Sequence, residues 1–254
     1  MIHVGTSGYN YAEWRGRFYP ADLTPARMLP FYAERFGTVE INATFYRMPT
    51  EKVLAAWAEA TPSAFVFTLK APQRITHMKR LIDVDDPLRR FTDVAATLGA
   101  KLGPLFFQLP PNFRKETGRL AQLLAMLPPG RRVAFEFRHA SWFSDDVYAL
   151  LRTRDAALCI ADTEEGTTPD VVTASWGYVR LRGAGYSNDA LDRWVPGLRR
   201  SDWQDAFVYF KHEDEARGPE IAQRLVARLA ERMPLAQVGG ATPPRAAARR
   251  PEAL

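Results

Sequence analysis

The chain has 254 residues, 46% of them hydrophobic and 25% charged, with a formal net charge of +5. That length and balance suit a folded domain with a large core and argue against a disordered or fibrous chain. No apolar stretch approaches the ~20 residues a membrane helix needs. Arg245, Arg249 and Arg250 against Glu252 put +2 of the charge in residues 233–254, which leaves +3 elsewhere, too little to argue for nucleic acid.

The first strand-like segment, 2–5, opens the chain directly. No basic segment followed by an apolar run precedes it, so no signal peptide is expected. Further strand-like segments lie at 38–44, 64–70, 104–109, 132–138, 157–161, 177–182 and 206–211. Helical patterns occupy 25–36, 50–60, 87–98, 117–127, 145–153, 190–204 and 217–232. The sixth gap, around 163–175, is the weakest as a helix. Strand ends roughly 20–40 residues apart are the spacing of repeated βα units. The pattern predicts an α/β fold, one (β/α)8 barrel over 1–232 with an irregular sixth unit. Residues 233–254, rich in Ala, Pro, Gly and Arg without an apolar period, are predicted to be a flexible tail. The single cysteine, Cys159, lies between Leu158 and Ile160 and is read as a core thiol. With no partner for an internal disulfide, a reducing, cytoplasmic setting is expected. Trp57 and Trp203 fall on helical patterns and are expected in the core.

Strand residues alternate between two faces. On the second strand Glu40, Asn42 and Thr44 share one face; on the third, Thr68 and Lys70. Glu136 and Arg138 share a face of the fifth, and Tyr178, Arg180 and Arg182 a face of the seventh. The eighth ends in Tyr209 and Lys211. Apolar residues suit the outer face under the helices, so the polar set is predicted to point inward. An inward charge is costly without partners. The set gathers at the strand C-termini, the end where such barrels carry their active sites.

The same positions carry a family likeness. The run Gly5–Tyr9 with Trp14, then Glu40–Tyr46, Phe67–Pro72 with Thr76-His77, and Phe107–Pro111 appear in order. Glu136–Trp142, Asp162 and Tyr178–Gly183 follow. Over roughly residues 1–230 this resembles the YecE-like family, domain of unknown function 72. The resemblance implies a TIM barrel and brings no established activity. Many relatives look Asn-Asn-like after the eighth strand, where this chain has Lys211-His212, so the ligand can differ there.

Glu136, Arg138 and His139 form the sharpest cluster. Arg138 can hold a carboxylate or phosphate through two hydrogen bonds. Glu136 can act as acid or base if its pKa rises in a pocket, or it can brace the barrel mouth as half of a structural pair. Glu40, Asn42 and Tyr46 form a second group. Two inward carboxylates can flank a glycosidic bond, or belong to a hydrogen-bonded layer inside the barrel. Lys70, Arg180, Arg182 and Lys211 bring positive charge, and the turn Gly183-Ala184-Gly185 can approach an anion. That charge can equally balance Glu40, Glu136 and Asp162. Lys70 can also form a Schiff base, for which a lone strand-end lysine is thin support.

His77, His139 and His212 follow strand ends, but no tight H-x-x-x-H or H-x-H spacing occurs, so neither a metal nor another cofactor is expected. Tyr9, Tyr11, Trp14, Phe45, Tyr46, Trp142, Tyr186 and Trp194 fall in or beside the top loops, as a stacking rim or as packing. The leading expectation is a hydrolase or lyase acting on a small or medium anionic substrate. Glu136, Glu40 and Lys70 are its catalytic candidates. Asn42, Tyr46, His77, Gln108, Arg138, His139, Trp142, Asp162, Arg180 and Lys211 are its binding candidates. A metal-dependent phosphodiesterase or endonuclease, and a non-catalytic ligand or nucleic-acid binding module, are the competing readings. Nothing in the sequence indicates a membrane partner or an oligomeric state.

Overall fold

The computed structural model describes residues 1–183, 185–211 and 216–231. Eight parallel strands form its centre: β1 (Ile2–Thr6), β2 (Thr38–Ile41), β3 (Val66–Lys70), β4 (Leu102–Gln108), β5 (Val133–Glu136), β6 (Ala157–Thr163), β7 (Trp176–Leu181) and β8 (Asp205–Phe210). Hydrogen-bonded neighbours run β1-β8-β7-β6-β5-β4-β3-β2, all parallel. The ring closes between β1 and β2, where Ser7 bridges Glu40 and the Gly8 N–H donates to the Glu40 carbonyl at 2.7 Å. Gly5 makes that seam possible. A Cβ on it would sit 2.2 Å from the Thr38 carbonyl oxygen, so only glycine lets the two backbones meet.

Helices α1 (Pro25–Ala33), α2 (Ala43–Tyr46), α3 (Glu51–Glu59), α4 (Asp85–Ala96), α5 (Thr117–Met126), α6 (Asp145–Arg152), α7 (Asn188–Leu198) and α8 (Arg217–Glu231) occupy the connections. Their starts follow local chemistry. Pro25 opens α1, the Thr50 hydroxyl accepts from the Val53 N–H, and Ser187 accepts from the Ala190 N–H. Asp85 and Asp86 stand in the first turn of α4, where the helix dipole favours negative charge. The expected irregular sixth unit is present: a two-residue strand, Gly166–Thr167, turns back antiparallel on β6, and no helix follows before β7.

The two faces of the strands separate as parity predicts. Val39, Leu69, Phe107, Phe135, Ile160, Val179 and Val208 join Leu29, Leu54, Phe91, Leu120, Leu151, Leu191 and Leu225 of the helices in the outer core. Phe106, Ala134, Cys159, Tyr178 and Tyr209 fill the barrel interior. Cys159 is a free, fully buried thiol, and burial pushes its pKa up.

Two boundaries differ from expectation. The second strand ends at Ile41, because Asn42 takes a helical conformation (φ −85°, ψ −23°) and α2 follows. The Thr44 hydroxyl then serves the carbonyls of Ile41 and Lys70, a side-chain bond that replaces further strand ladder. Helix α7 stops at Leu198, soon after Pro196 and Gly197, which are poor helix formers. Trp203 is therefore off the helix; it is half-buried and lies over Gly177, while Trp57 is half-buried against Phe67. No helix among the described residues is long and apolar enough to cross a membrane. The tail expected at 233–254, together with His212 and Ala184, lies outside the described residues.

Candidate functional site at the barrel mouth

Arg180 of β7 is the hub of the site. It is 1% exposed, and its Nη1 donates to Glu136 Oε2 at 2.5 Å while Nη2 donates to Glu40 Oε1 at 3.0 Å. The guanidinium lies 4.7 Å over the Phe106 ring. Glu40 also accepts from the Ser7 and Tyr178 hydroxyls. One arginine thus ties β2, β5 and β7 together, and each buried carboxylate gains the partners it needs to remain inside. Arg180 holds both carboxylates at once. Of the two openings the sequence left for Glu40, the hydrogen-bonded interior layer fits.

Glu136 carries the most contacts. Besides Arg180, its Oε1 accepts from Arg138 Nε at 2.9 Å and from Gln108 Nε2 at 2.8 Å, and Arg182 Nη1 stands 3.8 Å away. Burial pushes its carboxyl up, but the charges and hydrogen bonds of Arg180 and Arg138 outweigh this and hold it at about 2. It is a fixed anion, poorly suited to cycle a proton near neutrality.

Gln108 hands the network on. Its Oε1 accepts from Lys70 Nζ at 2.9 Å. Lys70, the last residue of β3, is 8% exposed, and its amine sits 4.1 Å over the Phe45 ring. Among the described residues no carboxylate lies within ion-pair distance of it, although the charges of Glu40 and Glu136 act on it from further off. Burial, then the charge of Arg180, lowers its pKa from 10.5 to about 7. His77, in the one-turn π-helix Arg74–Met78, packs edge-on against the same Phe45 ring at 4.9 Å. Its Nδ1 meets the Thr76 hydroxyl at 2.8 Å, and burial followed by the Lys70 charge lowers its pKa to about 4.

Beside this network lies a cleft of about 520 Å³, lined by Glu136, Arg138, Phe143, Thr163, Thr167 and Arg182 among others. The Arg138 and Arg182 side chains are 31% and 25% exposed. The terminal nitrogens of Arg138 make no hydrogen bond among the described residues, nor does the Arg182 guanidinium. A larger groove of about 730 Å³ lies between the starts of α3 and α4, lined by Met48, Lys52, Asp86, Arg90 and Asp93 among others. It touches none of the buried network, so the mouth cleft is the candidate site.

The residues expected at the site divide. Glu40, Lys70, Gln108, Glu136, Arg138 and Arg180 converge. Asn42 begins the α2 turn, and its buried Nδ2 has no hydrogen-bond partner among the described residues. Tyr46 is exposed, 75% in the open, with its ring edge-on to Phe45 at 5.0 Å. His139 caps the turn Ala140–Trp142, accepting from the Ser141 N–H. Trp142 is fully buried, stacked on Phe137 and donating to the Phe113 carbonyl; Trp14 is buried too. Both are packing residues. Asp162 accepts from Thr167 and Tyr186 and so pins the return strand to the loop after β7. Lys211 lies just past β8, half-buried. Among the described residues no three His, Cys, Asp or Glu side chains converge as metal ligands. Ser7 was missed as a site residue, because a serine past a short strand gives no pattern that marks contact with a distant strand; Phe45, expected only as a rim or packing aromatic, lies under the Lys70 amine.

The model of the family described as "Protein of unknown function DUF72" matches residues 3–247. The chain belongs to this family. A curated relative, UPF0759 protein YunF of Bacillus subtilis (strain 168), is 27% identical over 194 residues, which cover 69% of this chain and 66% of that protein. The match therefore spans just under two thirds of that relative's length. A crystal structure of a DUF72 family protein from Thermotoga maritima MSB8 superposes with a TM-score of 0.75 at 24% identity, covering 91% of this chain and 99% of that one. A DUF72 family protein from Enterococcus faecalis V583 does so at 0.74 and 18%, covering 91% and 96%. At these identities the DUF72 structures speak for the barrel fold.

Proposed function

We propose that this DUF72 chain is an enzyme that binds a small anionic substrate at the barrel mouth. Arg138 and Arg182 grip its carboxylate or phosphate, and Lys70 handles the proton chemistry. One observation carries the reading: two guanidinium groups with donors unused among the described residues line a cleft whose edge lies two hydrogen-bond links from a buried lysine amine, itself without an ion-pair partner among those residues. A guanidinium fork fixes a planar or tetrahedral anion better than a point charge does. A buried amine poised near neutrality is the usual state of a catalytic lysine. Glu136 takes a different part from the acid/base role expected of it. Held ionised, it orients Arg138 and keeps Arg180 and Arg182 in place.

The test is thermal stabilisation by a panel of inorganic phosphate, small carboxylates and phosphate monoesters. A ligand at a hundred times its Kd adds about 2.7 kcal/mol, a shift of roughly 5–10 °C for a chain of this size. R138M and R182M are expected to lose most of that shift while keeping the unliganded melting temperature within a few degrees. An equal shift in parent and variants would place anion binding elsewhere.

A further inference from the structure

The chain has six lysines, Lys52, Lys70, Lys79, Lys101, Lys115 and Lys211. Their environments differ in kind. Lys101 donates to the Ala58 and Thr61 carbonyls and to the Thr61 hydroxyl; Lys115 pairs with Asp146; Lys79 donates to the Asp83 carbonyl; Lys52 is exposed. Lys70 alone among these is buried with, among the described residues, a single neutral hydrogen-bond partner, the Gln108 amide oxygen, and an aromatic ring beneath its nitrogen. An ammonium group carries three donors and seeks a carboxylate when desolvated. A neutral amine needs far less, and its lone pair is then available. The Asn42 amide nitrogen, a buried donor without a partner among the described residues, sits on the same β2–α2 turn that supplies Phe45. His77 stands against the same ring with its Nε2 unbonded among the described residues.

We infer that Lys70 is a nucleophile that forms an imine with an aldehyde or ketone substrate, whose carboxylate or phosphate is held by Arg138 and Arg182. This rests on the proposed anion-binding reading and names the substrate class for it. The Nζ lone pair attacks the carbonyl carbon and the C–O π bond opens to a carbinolamine. The carbonyl oxygen then leaves as water with the two protons that Nζ gives up, and a C=N bond remains. No oxidant or reductant enters the step, and hydrolysis reverses it. The Asn42 Nδ2 is a donor of the kind that stabilises the oxygen as it gains charge. His77, its pKa lowered to about 4, is neutral at pH 7 and adds no positive charge beside the amine. The lowered pKa of Lys70 agrees with the geometry: an amine with a pKa of about 7 is half unprotonated at neutrality, a roughly thousandfold larger free-amine fraction than an ordinary lysine has.

The experiment is reductive trapping on the unmodified protein. It is incubated at pH 7 with limiting glyoxylate, pyruvate or glycolaldehyde phosphate and cyanoborohydride, which reduces an imine to a stable secondary amine. Peptide mass mapping then locates the adduct. Glycolaldehyde, which bears no anion, is the comparison probe. Label concentrated on Lys70 above each of the other five lysines, and lost in K70R, is the result expected. Label spread over the exposed lysines, with Lys70 no richer, overturns the imine. The anion reading is scored separately. If Lys70 is trapped equally well by glycolaldehyde and in R138M, the imine stands and the arginine grip fails. If phosphate or carboxylate binding depends on Arg138 but Lys70 is never trapped, the grip stands and the imine fails.

Discussion

Replacing Lys70 with methionine removes the titrating amine while keeping an unbranched side chain over the Phe45 ring. The folded pKa of about 7 lies below the unfolded value of 10.5. Between those two values the unfolded chain therefore binds more protons than the folded one. Stability must rise with pH across that window, and the penalty for holding Lys70 charged is fully present below about pH 7. At 1.36 kcal/mol per pKa unit, the penalty is about 5 kcal/mol at pH 6 and about 2 kcal/mol at pH 9. K70M feels none of it. The variant loses the Gln108 hydrogen bond, roughly 0.5–1.5 kcal/mol at every pH. Titrations that do not feel Lys70 cancel in the difference; that of His77, which the Lys70 charge lowers, matters only at the acid edge of the range. Urea denaturation of parent and variant at pH 6, 7.5 and 9 is the assay. The stability of K70M relative to the parent is expected to fall by about 2–3 kcal/mol from pH 6 to pH 9. A difference that stays constant across that range would refute the reasoning, because the amine would then titrate in the fold as it does in the open chain.

Three further outcomes are expected. Gly5→Ala places a Cβ 2.2 Å from the Thr38 backbone oxygen, so calorimetry is expected to show a loss of about 3 kcal/mol or more. Gly177→Ala first meets the Trp203 ring, a side chain rather than backbone, and is expected to cost less; equal losses would contradict the seam argument. R180M leaves the Glu40 and Glu136 carboxylates buried without their shared cation, at a cost of about 3–5 kcal/mol in denaturant titration. A loss below about 1 kcal/mol would mean that water reaches those carboxylates. His77 is expected to titrate near pH 4 by NMR; since its folded pKa lies below its open-chain value of 6.5, the protein loses stability as pH falls from about 6.5 to about 4. A midpoint near 6.5 would show that its ring is fully hydrated.

The barrel was legible in the sequence because it is written in local periods. Eight strand-length apolar segments at βα spacing, and the period-two split of polar and apolar residues, require only that a strand alternate its faces. The same split placed Glu40, Lys70, Glu136 and Arg180 inside, and the missing helical pattern at 163–175 marked the irregular sixth unit. Parity failed where strands ended. Asn42 and Thr44 were assigned to a strand face, yet a hydroxyl that caps two strand-end carbonyls turns the chain at Ile41. Such a competition is decided by Lys70, 26 residues further on, which no local window contains. The roles of the charges were likewise out of reach. Whether Glu136 serves as an acid or as a fixed anion depends on which of Arg138, Arg180 and Gln108 reach its oxygens. Whether Lys70 is an ammonium or an amine depends on how burial and the charge of Arg180 weigh against the more distant Glu40 and Glu136. Residue type and strand position belong to the sequence; the ionisation state belongs to the fold, because Coulomb and desolvation energies depend on distances that only chain closure sets.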